Sequence, residues 1–330
     1  MSELRAVGAI LDDIDSRPGS VTSLARTVLG AYVRELGGWI AIADFGGLLA
    51  ALGVPEQSAR TAVTRLKGKG VLDAETRGGR SGYRLTPAAE AMYARGDARI
   101  FGFRRMGEDD PWQLICFGIP ESARAARHQL RRRLSAIGCG TVAPGLWICP
   151  HYLADEATAI VTALGLDEYV TTFRATDITA PTTPRAAATQ WWDLDALARR
   201  YRAFLAHHGG SFTGADGVAV DGTVAEGTVA MASSAMGRAA GGHTVEGNAS
   251  AGNATGSAGA DRLGDDERAF RIFVPLLDEW RTIPYLDPGL PERMLPPDWP
   301  GPAGVRLFAT ARDRCLGPSL RWVRSVVDPR

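Results

Sequence analysis

Gln57, Arg60, Thr61, Thr64 and Arg65 fall on one arc of a helical wheel, and Ala59, Ala62, Val63 and Leu66 fall on the other. The polar arc holds side chains that read duplex DNA. Arginine pairs bidentately with guanine O6 and N7, glutamine pairs with adenine, and threonine reaches phosphates or the thymine methyl group. Lys67 closes the same helix, and the run after Gly70 reads as a hairpin. Its strands are expected at Val71 to Thr76 and Tyr83 to Leu85, with Arg77-Gly78-Gly79-Arg80-Ser81-Gly82 as the turn. Arg77 and Arg80 on a glycine-rich tip suit close approach to a phosphate backbone or a minor groove, and Tyr83 belongs to the same candidate surface. Residues 60–84 carry seven Arg and Lys against two carboxylates, a local charge of +5, whereas the whole chain balances 37 basic against 37 acidic residues. The positive field is therefore confined to one element, which excludes a generally basic, non-specific nucleic-acid binder.

The flanking residues supply elements that position this arc. Thr22-Ser23 suits the cap of a first helix running to about Leu36, with Leu24, Val28, Leu29 and Tyr32 at core spacing and Gly37-Gly38 ending it. Trp39 to Ile42 leads into a second helix, Ala43 to Leu52, and Gly53 makes the turn into the DNA-reading helix, whose first turn accommodates Pro55. Thr86-Pro87 opens a further helix over about Ala88 to Ala94. Trp39, Leu48, Leu49 and Leu52 are assigned to core packing. Residues 20–100 thus read as a winged helix-turn-helix DNA-binding domain; the same elements also occur in adaptors that bind protein instead.

A second unit is expected at 108–180. Trp112 to Ile119 reads as a strand, Pro120-Glu121-Ser122 opens a helix, Cys139 to Val142 and Leu146 to Cys149 form a hairpin, Leu153 to Leu164 a helix and Tyr169 to Thr176 a last strand. The order β-α-β-β-α-β is the ferredoxin-like pattern. Metal-dependent nucleases of this architecture place an aspartate at the end of the first strand. Here that strand ends in Phe117-Gly118-Ile119-Pro120, so no carboxylate stands there to hold a catalytic metal. The first helix presents Arg124, Arg127, His128 and Arg131 with Arg132 and Arg133 adjacent, six basic groups in ten residues. Such a face is solvated and paired with acids of a neighbouring domain, or it meets a phosphate-rich ligand or the DNA backbone.

The third unit, 188–330, reads as helical, with helices over Ala196 to Ala206, over Asp265 to Ile283 despite Pro275, and from Val305 onward. It is interrupted at 209–262. Residues 209–260 are 13 Gly, 13 Ala, 5 Ser and 5 Thr, so 36 of 52 are small, and a flexible loop is expected there. Cys116, Cys139, Cys149 and Cys315 show no metal-ligand spacing, which argues against structural zinc and suits buried reduced thiols. The five histidines form no Ser/His/Asp or Cys/His arrangement, and no GxGxxG or P-loop occurs. No enzyme, cofactor or metal is expected. Neither a leader nor an apolar run of about 20 residues is present, so a cytoplasmic protein is expected.

These residues resemble the PaaX family of transcriptional regulators, the phenylacetic-acid-degradation repressors. The resemblance lies in SARTAVTRL (58–66) with GGRSGYRLT (78–86), ARHQLRRRLSAIGCGTVAPGLWICP (126–150), WDLDALARRYRAFL (192–205) and RTIPYLDPGLPERMLPPDWPG (281–301). It implies an α+β, multidomain, homodimeric repressor. Its N-terminal winged helix-turn-helix binds double-stranded operator DNA, and a ferredoxin-like βαββαβ domain and a helical C-terminal domain follow. It also implies release from the operator by an aryl-CoA thioester. Such an effector needs cations for its phosphates and an aromatic-lined slot. Arg104, Arg105, Arg127 and Arg131 are the candidate cations; Trp147 and Trp191, with Trp112 and Trp192, are the candidate aromatics, unless they serve interdomain packing.

Overall fold

The computed structural model describes residues 17–212 and 255–327, with only the backbone described for 255–263. Helix α1 (Val21–Val28) starts at Ser20, whose hydroxyl accepts the Ser23 N–H at 3.3 Å. Ser20, not Thr22-Ser23, is therefore the cap, because the Ser23 side chain is turned into the core. A π-helical turn, Leu29–Val33, follows, and Gly37 and Gly38 leave it at φ 89° and 73°. Trp39–Ala41, which leads directly into the second helix as expected, is itself a strand, β1. Helix α2 (Ile42–Ala51) and helix α3 (Glu56–Gly68) are joined through Gly53 at φ 75°, and Pro55 is the cap residue of α3, one place before its first turn.

Strand β2 (Leu72–Arg77) is shifted by one residue from the sequence reading, and β3 (Arg80–Leu85) starts three residues earlier than expected. Gly78 and Gly79 both take positive φ, 55° and 78°. Two such residues close a hairpin whose twist matches its strands. The tip is therefore two residues, not six, and Arg77 and Arg80 stand opposite each other as the last paired positions. The sheet order is β1-β3-β2, antiparallel throughout. Helix α4 (Pro87–Ile100) is capped by Thr86, which accepts the Ala89 N–H at 3.1 Å. It runs two turns past Ala94.

Strand β4 (Trp112–Phe117), helix α5 (Arg124–Ala136), strands β5 (Gly140–Ala143) and β6 (Leu146–Pro150), helix α6 (Ala154–Ala163) and strand β7 (Val170–Ala175) follow in the expected order. The four strands form an antiparallel sheet ordered β5-β6-β4-β7. Leu130 and Leu134 of α5 and Ala157, Ile160 and Val161 of α6 bury one sheet face with Ile115, Phe117 and Trp147. Part of the other face is closed by a seam in which Trp112 and Ile148 meet Ala188, Trp192, Leu290 and Met294. The seam is tight: Trp192 donates its indole N–H to the Gly138 carbonyl at 2.9 Å, and a Cβ on Gly140 would sit 2.5 Å from the Trp192 ring.

The C-terminal helices are α7 (Pro184–Trp191), α8 (Leu194–His208), α9 (Thr255–Trp280), α10 (Ile283–Leu286) and α11 (Gly301–Val327). Pro275 lies within α9, as anticipated; of the loop expected at 209–262, Gly209–Phe212 form a 3-10 turn and 255–262 are helical, while 213–254 lie outside the described residues. The first and third regions do not carry separate cores. Ala25, Leu29, Tyr32, Phe45 and Leu66 belong to one apolar cluster with Phe270, Phe273, Trp280 and Trp322. Tyr32 packs on Phe270 with ring centres 5.3 Å apart and donates its hydroxyl to Ser319 at 3.0 Å. Beside them Asp278, fully buried, accepts from the Gly19 N–H (2.7 Å), the Ser23 and Thr27 hydroxyls (2.5 and 2.8 Å) and Arg281 Nε (3.2 Å). Desolvated polar groups of this kind persist only when each finds a partner, so the knot fixes α1 against α9.

Candidate nucleic-acid interface

Helix α3 turns Ala59, Ala62, Val63 and Leu66 inward and leaves Gln57, Arg60, Thr61, Thr64, Arg65 and Lys67 exposed. The small alanines let α3 lie close on α1, while alanine and arginine both favour the helix. Arg60 pairs with Glu56 one turn back at 2.5 Å, with both side chains more than 70% exposed. Such an i,i+4 pair is weak in water and gives way to a stronger acceptor. Thr61 and Thr64 donate their hydroxyls to the carbonyls of Gln57 and Arg60 at 3.0 Å each. Their protons are therefore already used, and what they offer a groove is the methyl group, suited to thymine rather than phosphate. Arg65 and Lys67 have no side-chain partner among the described residues.

The hairpin beside α3 is stiffened by its own charges. Arg77 donates to Glu75 at 2.5 Å and lies over the Trp39 ring, 5.6 Å from its centre. Those hydrogen bonds and the Arg77 and Arg84 charges hold the Glu75 carboxyl below its ordinary range. Arg80 reaches across to Asp44 on α2 at 2.7 Å. Trp39 itself is half-buried, donates its indole N–H to the Glu75 carbonyl at 3.3 Å, and covers Gly82, where a Cβ would lie 2.5 Å from the indole. It braces the hairpin from outside instead of filling the core. Tyr83 shares the sheet face of Leu85 and packs half-buried against the core, so its ring is not presented as the arginines are.

The candidate effector residues do not converge. Trp147 is buried inside the central core and Trp191 stands at the seam, lining with Trp112 a cavity of about 160 Å³. Arg131 is exposed on α5, and Arg127 donates to the Ile119 carbonyl (3.2 Å) and to Glu121 (2.7 Å) within its own unit. Arg133 turns inward, and burial lowers its pKa. Arg124 and Arg127 both pair with Glu121 of their own unit. Arg104 and Arg105 sit elsewhere, on the linker after α4. Cys116 is exposed, against expectation, and Cys139, just before β5, makes a side-chain hydrogen bond with Cys149 on β6. Sequence spacing did not show either. Among the described residues no group of three or more His, Cys, Asp and Glu is placed to hold a metal ion, and no helix is long and apolar enough to cross a membrane.

Three models of one family match in succession: PaaX-like protein at 20–89, PaaX protein central Cas2-like domain at 106–188, and PaaX-like protein C-terminal domain at 254–325. The chain belongs to the PaaX family. It is 26% identical over 313 residues to the transcriptional repressor PaaX of Escherichia coli (strain K12), which spans 94% of this chain and 85% of that protein. Among solved structures it is similar to uncharacterized protein Rv0674 from Mycobacterium tuberculosis, at 22% identity and a TM-score of 0.47, over 91% of this chain and 96% of the other. PaaX is thus a family of regulators and not of enzymes. The first match ends within α4, the second begins before β4 and ends within α7, and the third begins just before α9.

Proposed function

We propose that this PaaX-family chain is a sequence-specific DNA-binding repressor, cytoplasmic and homodimeric, whose residues 20–100 act as a winged helix-turn-helix. The observation that carries the reading is the exposed arc of α3, where Gln57, Arg60 and Arg65 stand clear of the core beside a hairpin tipped by Arg77 and Arg80. The arc supplies base contacts, and the hairpin supplies phosphate or minor-groove contacts. The central unit, ferredoxin-like in its strand order, and the C-terminal helices hold the reader and carry the response to a ligand. Following the family, the regulated operon serves breakdown of an aromatic acid of the phenylacetate type, and an aryl-CoA releases the repressor.

A ligand weakens operator binding only through its different affinity for the two conformations. A 100-fold release requires about 2.7 kcal/mol of coupling, and operator DNA must weaken the ligand by the same factor. A gel shift of the full chain on DNA upstream of its own gene tests both parts. The reading expects a discrete complex, dispersed by phenylacetyl-CoA and not by free CoA. A complex that persists at saturating thioester removes the effector; no complex at all removes the DNA reader.

A further inference from the structure

The linker between α4 and β4 crosses the turn at Asp287, and two cavities of about 220 and 210 Å³ lie there, with Phe103 and Asp287 in the walls of both. The crossing is close: Met106 N–H donates to the Gly289 carbonyl at 2.7 Å, and a Cβ on Gly289 would run into the Arg104 carbonyl. Asp287, buried between them, accepts from the Tyr201 hydroxyl and from Gly289 N–H at 2.7 Å each.

The two cavities differ in what their cations are doing. In the one of about 210 Å³, Arg99 donates to the Ile137 and Tyr285 carbonyls at 3.0 Å, and Arg104 lies over the Tyr152 ring at 4.7 Å. Both guanidiniums are already committed. In the one of about 220 Å³, Arg105 and Arg306 make no hydrogen bond or ion pair with the described residues, and Arg105 acts on Asp287 only at a distance. Leu290, Leu295, Trp299 and Val305 form the wall beside them. Two unmatched guanidiniums at an apolar, partly aromatic wall hold an anion that carries an apolar group.

We propose that this cavity is the effector site, in which Arg105 and Arg306 donate to the carboxylate or thioester carbonyl oxygen of an aryl-acyl compound and Leu290, Leu295 and Trp299 cover its apolar group. The proposal rests on the ligand-responsive reading above and deepens it by assigning residues. At about 220 Å³ the space is below the roughly 300 Å³ at which pockets for drug-sized ligands begin, so it holds an aryl-acyl group together with its own carbonyl or carboxylate oxygens. The remainder of a CoA lies outside. The placement also couples ligand to reader. Arg105 belongs to the linker that leaves α4, and Arg306 belongs to α11, whose Phe308 rests 5.9 Å from Phe101 at the end of α4. A ligand oxygen bridging the two arginines draws linker and α11 together at that point. Helix α4 is tied to the α1 segment by Arg34–Asp97 at 2.8 Å and by the Tyr93 hydroxyl on the Arg26 carbonyl at 3.0 Å.

Calorimetric titration of the full chain with phenylacetate, phenylacetyl-CoA and free CoA tests the assignment, using wild type, Arg105→Gln, Arg306→Gln and, as control, Arg124→Gln on α5. Losing a charge-assisted hydrogen bond should weaken the best-binding aryl probe roughly tenfold or more in each of the first two variants and leave the control unchanged. Preference for phenylacetate over the thioester identifies a free carboxylate as the acceptor of the two arginines; the reverse preference identifies the thioester carbonyl. Full affinity in both Arg105→Gln and Arg306→Gln overturns the site while the effector reading stands. Free CoA binding as tightly as its thioester overturns it too, since the apolar wall would contribute nothing. If neither aryl probe binds wild type, the site and the effector reading fall together.

Discussion

Replacing Asp278 with alanine tests whether the reader and the C-terminal helices are one folding unit. The carboxylate is fully buried and accepts from Gly19 N–H, the Ser23 and Thr27 hydroxyls and Arg281 Nε, with Arg281 itself 5% exposed. Asp278→Ala takes the carboxylate from a buried guanidinium and leaves three other donors short of an acceptor. Breaking a buried ion pair from one side costs about 3–5 kcal/mol. Ser23→Ala removes a hydroxyl that donates to Asp278 and accepts from Arg281 Nη2 at 2.7 Å, and both charged groups keep other partners, so a smaller loss of about 1.5–3 kcal/mol is expected. Adding Arg281→Met to Asp278→Ala should recover part of the loss, because no charge is then left unpaired. Urea unfolding followed by tryptophan fluorescence reads this directly, since Trp280 and Trp322 sit in the shared core. Wild type should lose α1 and α9 in one transition. A loss below about 1 kcal/mol in Asp278→Ala, or separate transitions for the two regions, would refute the argument.

Three other outcomes are expected. Arg65→Ala should cost roughly 1–3 kcal/mol of operator binding and relax specificity at one base pair per half-site, measured by competition among single-base operator variants. Arg77→Ala and Arg80→Ala should each weaken operator and random DNA alike and lower the salt slope by up to about one unit, because each arginine must first leave a carboxylate, Glu75 or Asp44; salt titrations of binding measure both. Burial raises the Asp287 pKa above 3.8, so folding favours its protonated form. The stability it contributes is greatest at low pH and declines as pH rises from 3.8 through the folded-state value; denaturation of wild type and Asp287→Asn across about pH 4 to 7 should show that decline only in wild type.

Helix α3 was legible because its alanines and Leu66 recur at helical spacing, and the β-α-β-β-α-β order was legible because each central element carries its own apolar period. The hairpin boundaries were misplaced because three glycines offered alternative turns, and only Gly78-Gly79 took positive φ together. The strand Trp39–Ala41 is too short to show alternation, so the brace it gives to Arg77 was read as core. Helix α7 was missed although Thr183-Pro184 is a cap followed by proline at the first position, a signal the sequence does carry. The shared core was out of reach for another reason. Ser23 and Asp278 are 255 residues apart, and nothing local marks them as partners. The same holds for Arg105 and Arg306, which come together only across the linker and α11.

The central claim is that α3 reads bases. The most direct measurement is the specificity ratio of the full chain, by fluorescence anisotropy at physiological salt, on a duplex from upstream of its own gene against a scrambled duplex of the same composition, for wild type and for Gln57→Ala/Arg65→Ala. Wild type should prefer its own duplex by roughly 10³-fold or more, and the double variant should fall toward its affinity for scrambled DNA while keeping that affinity. Equal binding of wild type to both duplexes, or a double variant with the full preference, would contradict the account.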